Sequence, residues 1–134
     1  MLMNQAEYLE TISAIKSEIK NEIKNAQYRT VLGANRELIL LYWRIGQVIN
    51  THKTWGNKFV ENLAADIKME FPDATGYSVR NLKYMAKFAN TYPDIEFVQT
   101  VSAQISWSHN VAILDKVNDA DQRVWYMESA AKNG

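Results

Sequence analysis

Six residues just beyond Gly76 have the types and spacing to hold an anion: Ser78, Arg80, Asn81, Lys83, Tyr84 and Lys87. Ser78 follows a Pro72/Gly76 break and reads as a helix N-cap, its hydroxyl free to accept from an early backbone N–H. At 100° per residue the helix behind it puts Val79, Leu82, Met85, Ala86, Ala89 and Tyr92 on one arc. Arg80, Lys83, Tyr84, Lys87 and Thr91 fall on the other, which carries positive charge, an aromatic ring and no acid. Guanidinium and ammonium groups neutralise phosphates, and an asparagine amide can pair with a base edge. Contact with nucleic acid is the chemistry this pattern favours; on an arbitrary globular protein the same charges would be a solvated helix face.

Catalytic patterns fare worse. His52 and His109 lie far apart, with no carboxylate at metal-ligand helical spacing, so they read as loop or packing residues. No nucleophile elbow, phosphate loop or dinucleotide fingerprint occurs. Asp66-Ile67-Lys68 has a nuclease-like D-x-K spacing, but it falls on an expected helix with no sheet to present it. Asp119 and Asp121 are better read as a cap and first-turn charge. The sequence therefore predicts no catalytic residue, no metal ligand and no cofactor.

The surrounding chain sets limits on what can position these groups. It has 134 residues, zero formal net charge and 47% hydrophobic residues, enough for one ordinary folded domain. Neutrality argues against a uniformly basic surface. Charge is nevertheless segregated: residues 76–92 hold Arg80, Lys83 and Lys87 against no acid, whereas residues 93–134 hold more acids than bases. The absence of cysteine removes disulfides and thiolate zinc sites and fits a reducing compartment. Residues 1–10 show no secretory core, and the longest apolar run, residues 38–43, is too short to span a bilayer. The expectation is a soluble cytoplasmic domain without membrane partners.

In chain order, Tyr8, Leu9, Ile12, Ile15, Ile19 and Ile23 form a narrow helical stripe over residues 4–24, which calls for one partner helix, from its own chain in the first place or else from a second copy. Over residues 26–52, Val31, Ala34, Leu38, Leu41, Ile45, Val48 and Ile49 form a wide face, with Ile39, Leu40 and Trp43 off it. Residues 4–52 read as one bent rod or as two helices, the break falling near Asn21 and Asn25. A loop at 51–57 precedes a helix over 58–70 with Phe59, Leu63, Ile67 and Phe71 aligned. The helix from Ser78 ends before Pro93. Residues 94–105 read as a short helix or an extended connection, Ser106 or Ser108 caps a helix to 117, and a last helix starts near Ala120. The fold class is all-α: six to seven helices, a long N-terminal helical hairpin packed on a helix-turn-helix-like pair. Residues 1–53, 54–92 and 93–134 form its three sections within one domain.

Several local motifs together are familiar. Glu37-Leu38-Ile39-Leu40-Leu41-Tyr42-Trp43-Arg44-Ile45-Gly46, Trp55-Gly56, Phe71-Pro72, Gly76-Tyr77-Ser78-Val79-Arg80-Asn81-Leu82, Tyr92-Pro93 and Ser106-Trp107-Ser108-His109 resemble the N-terminal domain of the bacterial YhcG family, as does the closing Ala130-Ala131-Lys132-Asn133-Gly134. Members of that family resemble two-part proteins, a helical helix-turn-helix or winged-helix-like region followed by a PD-(D/E)XK nuclease domain. The resemblance implies that residues 1–134 are the helical part and that the nuclease domain, with its catalytic groups, is absent from this sequence. It implies a recognition helix from Ser78 and a structural role for residues 106–109.

Two functions follow as expectations. The first is a non-catalytic DNA-binding or targeting module of a bacterial nuclease, its partners being DNA and the downstream nuclease domain. The second is a protein-interaction domain whose apolar N-terminal helices form a homodimer or dock another partner.

Overall fold

A computed structural model describes residues 4–52 and 57–133. The described residues form six α-helices: α1 Gln5–Thr51, α2 Asn57–Glu70, α3 Val79–Thr91, α4 Ile95–Thr100, α5 Trp107–Lys116 and α6 Ala120–Asn133. A 3-10 turn at Ser102–Gln104 separates α4 from α5. The all-α class is as expected. Residues 94–105 take the helical alternative, in two short pieces.

The N-terminal hairpin is corrected to a single helix of 47 residues. Asn4 starts it: the Glu7 N–H donates to Asn4 Oδ1 at 2.8 Å and the Asn4 N–H donates to the Glu7 carboxylate at 3.4 Å. Asn21 and Asn25 do not break it. An interior asparagine costs well under 1 kcal/mol, and neither a proline nor a side-chain cap is present to make a break cheaper. The loop expected at residues 51–57 falls largely outside the described residues, except that Thr51 still belongs to α1 and Asn57 opens α2.

The chain divides into two compact units, Met1–Ala34 and Asn35–Gly134. In the first, the apolar side chains Tyr8, Leu9, Ile15, Ile19 and Ile23 are exposed. The second contains the core. One cluster joins Ile39, Leu40 and Trp43 of α1 to Phe88, Ala89 and Tyr92 of α3, Val98 of α4, Ile113 and Leu114 of α5, and Met127 of α6. A second joins Tyr42 and Ile49 of α1 to Val60 of α2 and Leu82 and Met85 of α3.

The face that α1 turns to this core overlaps only in part, at Ile45 and Ile49, with the one that counting apolar residues selects. Ile39, Leu40, Tyr42 and Trp43 are buried, whereas Leu38, Leu41 and Val48 remain 38, 41 and 54% exposed. Size and contact decide the matter. The Trp43 indole N–H donates to the Tyr92 carbonyl at 2.7 Å, and the Asn50 amide donates to the Ala86 carbonyl at 2.8 Å. Gly46 lies between these ties, where any Cβ would run into the Met85 carbonyl and the Ala89 side chain. A missing side chain allows α1 and α3 to approach closely at this point.

Further along, Asn35 donates to the carbonyls of Ala103 and Ile105, both at 2.9 Å, anchoring the 3-10 turn. The fully buried Asn110 donates to the Ser102 and Ser106 carbonyls at 3.1 and 3.0 Å. Phe71, aligned with the α2 stripe by spacing, is exposed because the helix ends at Glu70 and the chain turns away.

Candidate nucleic-acid interface

The start of α3 is built by residues 71–78. The Ala74 N–H donates to the Phe71 carbonyl at 3.0 Å, and Gly76 takes φ +93°, a left-handed conformation that favours glycine. This turn is longer than the three or four residues of a helix-turn-helix. Ser78 is extended, and its Oγ accepts from the Asn81 N–H at 3.1 Å, so it is the N-cap its type predicts.

Asn81 is tied on both sides. Its amide N–H donates to the Gly76 carbonyl at 2.6 Å, and its Oδ1 accepts from the Trp107 indole N–H at 2.8 Å. Trp107 in turn meets Tyr42 and Phe88 edge-on, with centroids 5.0 and 5.2 Å away. Asn81 therefore joins the turn, α3 and α5. Its amide is engaged inside the protein, away from the base edge to which its residue type could be matched.

Arg80, Lys83 and Lys87 are exposed, while Leu82, Met85, Phe88 and Ala89 are buried on the opposite side of α3. Phe88 is a core residue that the sequence arc leaves out. The Arg80 guanidinium lies over the Tyr84 ring, 5.2 Å from its centroid. Lys87 donates to the Leu114 carbonyl at 3.3 Å, near the negative end of α5. Lys83 is exposed, with no partner among the described residues. Together with Val79 and Tyr84, the three cations line one shallow groove.

One acid intrudes. The Tyr84 hydroxyl donates to the Asp115 carboxylate, 2.8 Å from both oxygens. Sequence spacing had no means of finding this contact, because Asp115 comes from α5, 31 residues further along. Asp115 holds the Tyr84 ring in place beneath Arg80, and it also tempers the positive charge of the groove.

Three tyrosines titrate above the ordinary value of 10.0. For Tyr84 the main cause is its hydrogen bond to Asp115; for Tyr42 and Tyr92 it is burial. Each pKa is raised in the folded state, so its stabilising contribution is complete below the unfolded value and is lost as pH rises through the folded one. We expect an absorbance titration to show these three phenolates appearing above pH 10.0, with Tyr84→Phe deleting one of them.

The Ser106 Oγ accepts from the His109 N–H at 3.1 Å and lies 3.0 Å from His109 Nδ1. The Asp119 carboxylate accepts from the Gln122 N–H at 3.0 Å, as a cap does. Asp66 and Lys68 are exposed on α2. Among the described residues, no group of three His, Cys, Asp or Glu side chains could hold a metal, and no helix is long and apolar enough to cross a membrane.

These features define an all-helical domain in which a capped helix presents a cationic, aromatic flank from a core of aromatic rings. The chain belongs to the DUF1016 N-terminal domain family, whose model matches residues 18–134. This is the family that the motifs of α1, α3 and α5 resemble. No curated protein and no solved structure matches the chain.

Proposed function

We propose that this domain is a non-catalytic DNA-binding module that targets a bacterial nuclease to its substrate. The observation that carries the proposal is the exposure of Arg80, Lys83 and Lys87 along one flank of α3, a helix without an acid. The link to a nuclease rests on the family resemblance and not on any group in this chain. Asn81 is held by Gly76 and Trp107, which supports contact with phosphates over reading of bases. Binding is then largely independent of sequence.

The test is retention of a labelled duplex in a mobility assay. Lys83→Glu combined with Lys87→Glu is expected to weaken retention strongly and equally across unrelated sequences. Asp115→Asn is expected to tighten it, since it removes the acid beside the groove. Unchanged retention by the double variant, with its helical circular dichroism intact, would rule out this site.

A further inference from the structure

The Met1–Ala34 unit holds an exposed apolar stripe. Tyr8, Ile15, Ile19 and Ile23 are 56, 45, 53 and 52% exposed, and Leu9 beside them is 59% exposed. At 100° per residue those four fall within an arc of about 80°, one side chain wide. Helices in proteins draw most of their stability from burying such a face, and α1 keeps it open over several turns.

We infer that a second copy of this chain covers the stripe, so that the protein self-associates through the N-terminal part of α1. Three observations favour an identical partner. A ridge one residue wide at helical spacing fits the grooves of a helix with the same spacing, by knobs-into-holes packing. Acids and bases balance over residues 4–34, so two copies brought together are not driven apart by net charge. The area comes close to what is needed: five half-exposed side chains at roughly 80–100 Å² each, counted on two copies, approach the ~1,000 Å² of a specific interface. This inference concerns a different surface from the α3 flank, and either can fail without the other.

Light scattering across a concentration series gives the first reading. The expected mass is twice the 15.4 kDa of the chain or a higher multiple, falling to 15.4 kDa for Ile15→Asp with Ile19→Asp. Both positions are exposed, so the near-ultraviolet signal of the Asn35–Gly134 core should persist in that variant. A second reading does not depend on the aspartates. The chain has no cysteine, so the single variant Ile15→Cys, near the middle of the stripe, should be linked into pairs by a bis-maleimide in either relative orientation of the two helices. A wild-type mass of 15.4 kDa at every concentration, an assembly unaffected by the aspartates, or a failure to cross-link would each overturn the inference.

Discussion

Gly46→Ala is expected to destabilise the domain by about 3 kcal/mol, the upper end of the usual cost of overpacking. The added Cβ meets the Met85 carbonyl and the Ala89 side chain, so relief requires backbone movement of α1 against α3 and not a rotamer change. That movement would loosen the contacts on either side, Trp43 with the Tyr92 carbonyl and Asn50 with the Ala86 carbonyl. Gly33 provides the control, because it lies in the same helix with nothing within 4 Å of an added Cβ. There alanine should stabilise, by up to about 1 kcal/mol, through helix propensity alone. Thermal unfolding followed by circular dichroism separates the two: a fall of roughly 10 °C for Gly46→Ala against a small rise for Gly33→Ala. Equal responses would mean that α1 and α3 do not touch at Gly46.

Asn81→Ala should be nearly as costly, by about 2–4 kcal/mol, because it leaves the Trp107 indole N–H and the Gly76 carbonyl without their partner. An exposed residue used only to contact DNA would cost within about 0.5 kcal/mol, the value expected for Lys83→Ala. Asn81→Asp divides the effect. Its carboxylate can still accept from Trp107, but it meets the Gly76 carbonyl with no hydrogen to donate. Urea unfolding of the three variants should therefore rank Lys83→Ala as neutral, with both Asn81 variants well below the wild type. A neutral Asn81→Ala would return that residue to the list of candidate DNA contacts.

These two residues also mark how far the sequence could be read. The spacing of α3 reveals its polar and buried sides, because a 3.6-residue period needs no knowledge of neighbouring helices. Ser78 as cap and Ser106 as cap are local chemistry and follow from residue type in the same way. The role of Asn81 is set by Trp107, a residue on another helix, and so has no local signature. Asp115 facing Tyr84 is hidden for the same reason. Spacing alone does not select the buried side of α1, because apolar residues lie nearly all round residues 38–49 and periodicity weighs a leucine and a tryptophan alike. A close approach at Gly46 and the polar reach of Trp43 decide which side faces inward. The unbroken length of α1 shows that a few asparagines without a cap or a proline are a weak stop signal.

If the exposed cations of α3 meet phosphates, the salt dependence of duplex binding counts the contacts. If Arg80, Lys83 and Lys87 each neutralise one phosphate, log affinity should fall with log salt at a slope of roughly −2 to −3 for the wild type. Removing two of the three contacts with Lys83→Glu and Lys87→Glu should flatten the slope by roughly two. A wild-type slope near zero, or the same steep slope in both proteins, would contradict the assignment of this flank to nucleic acid.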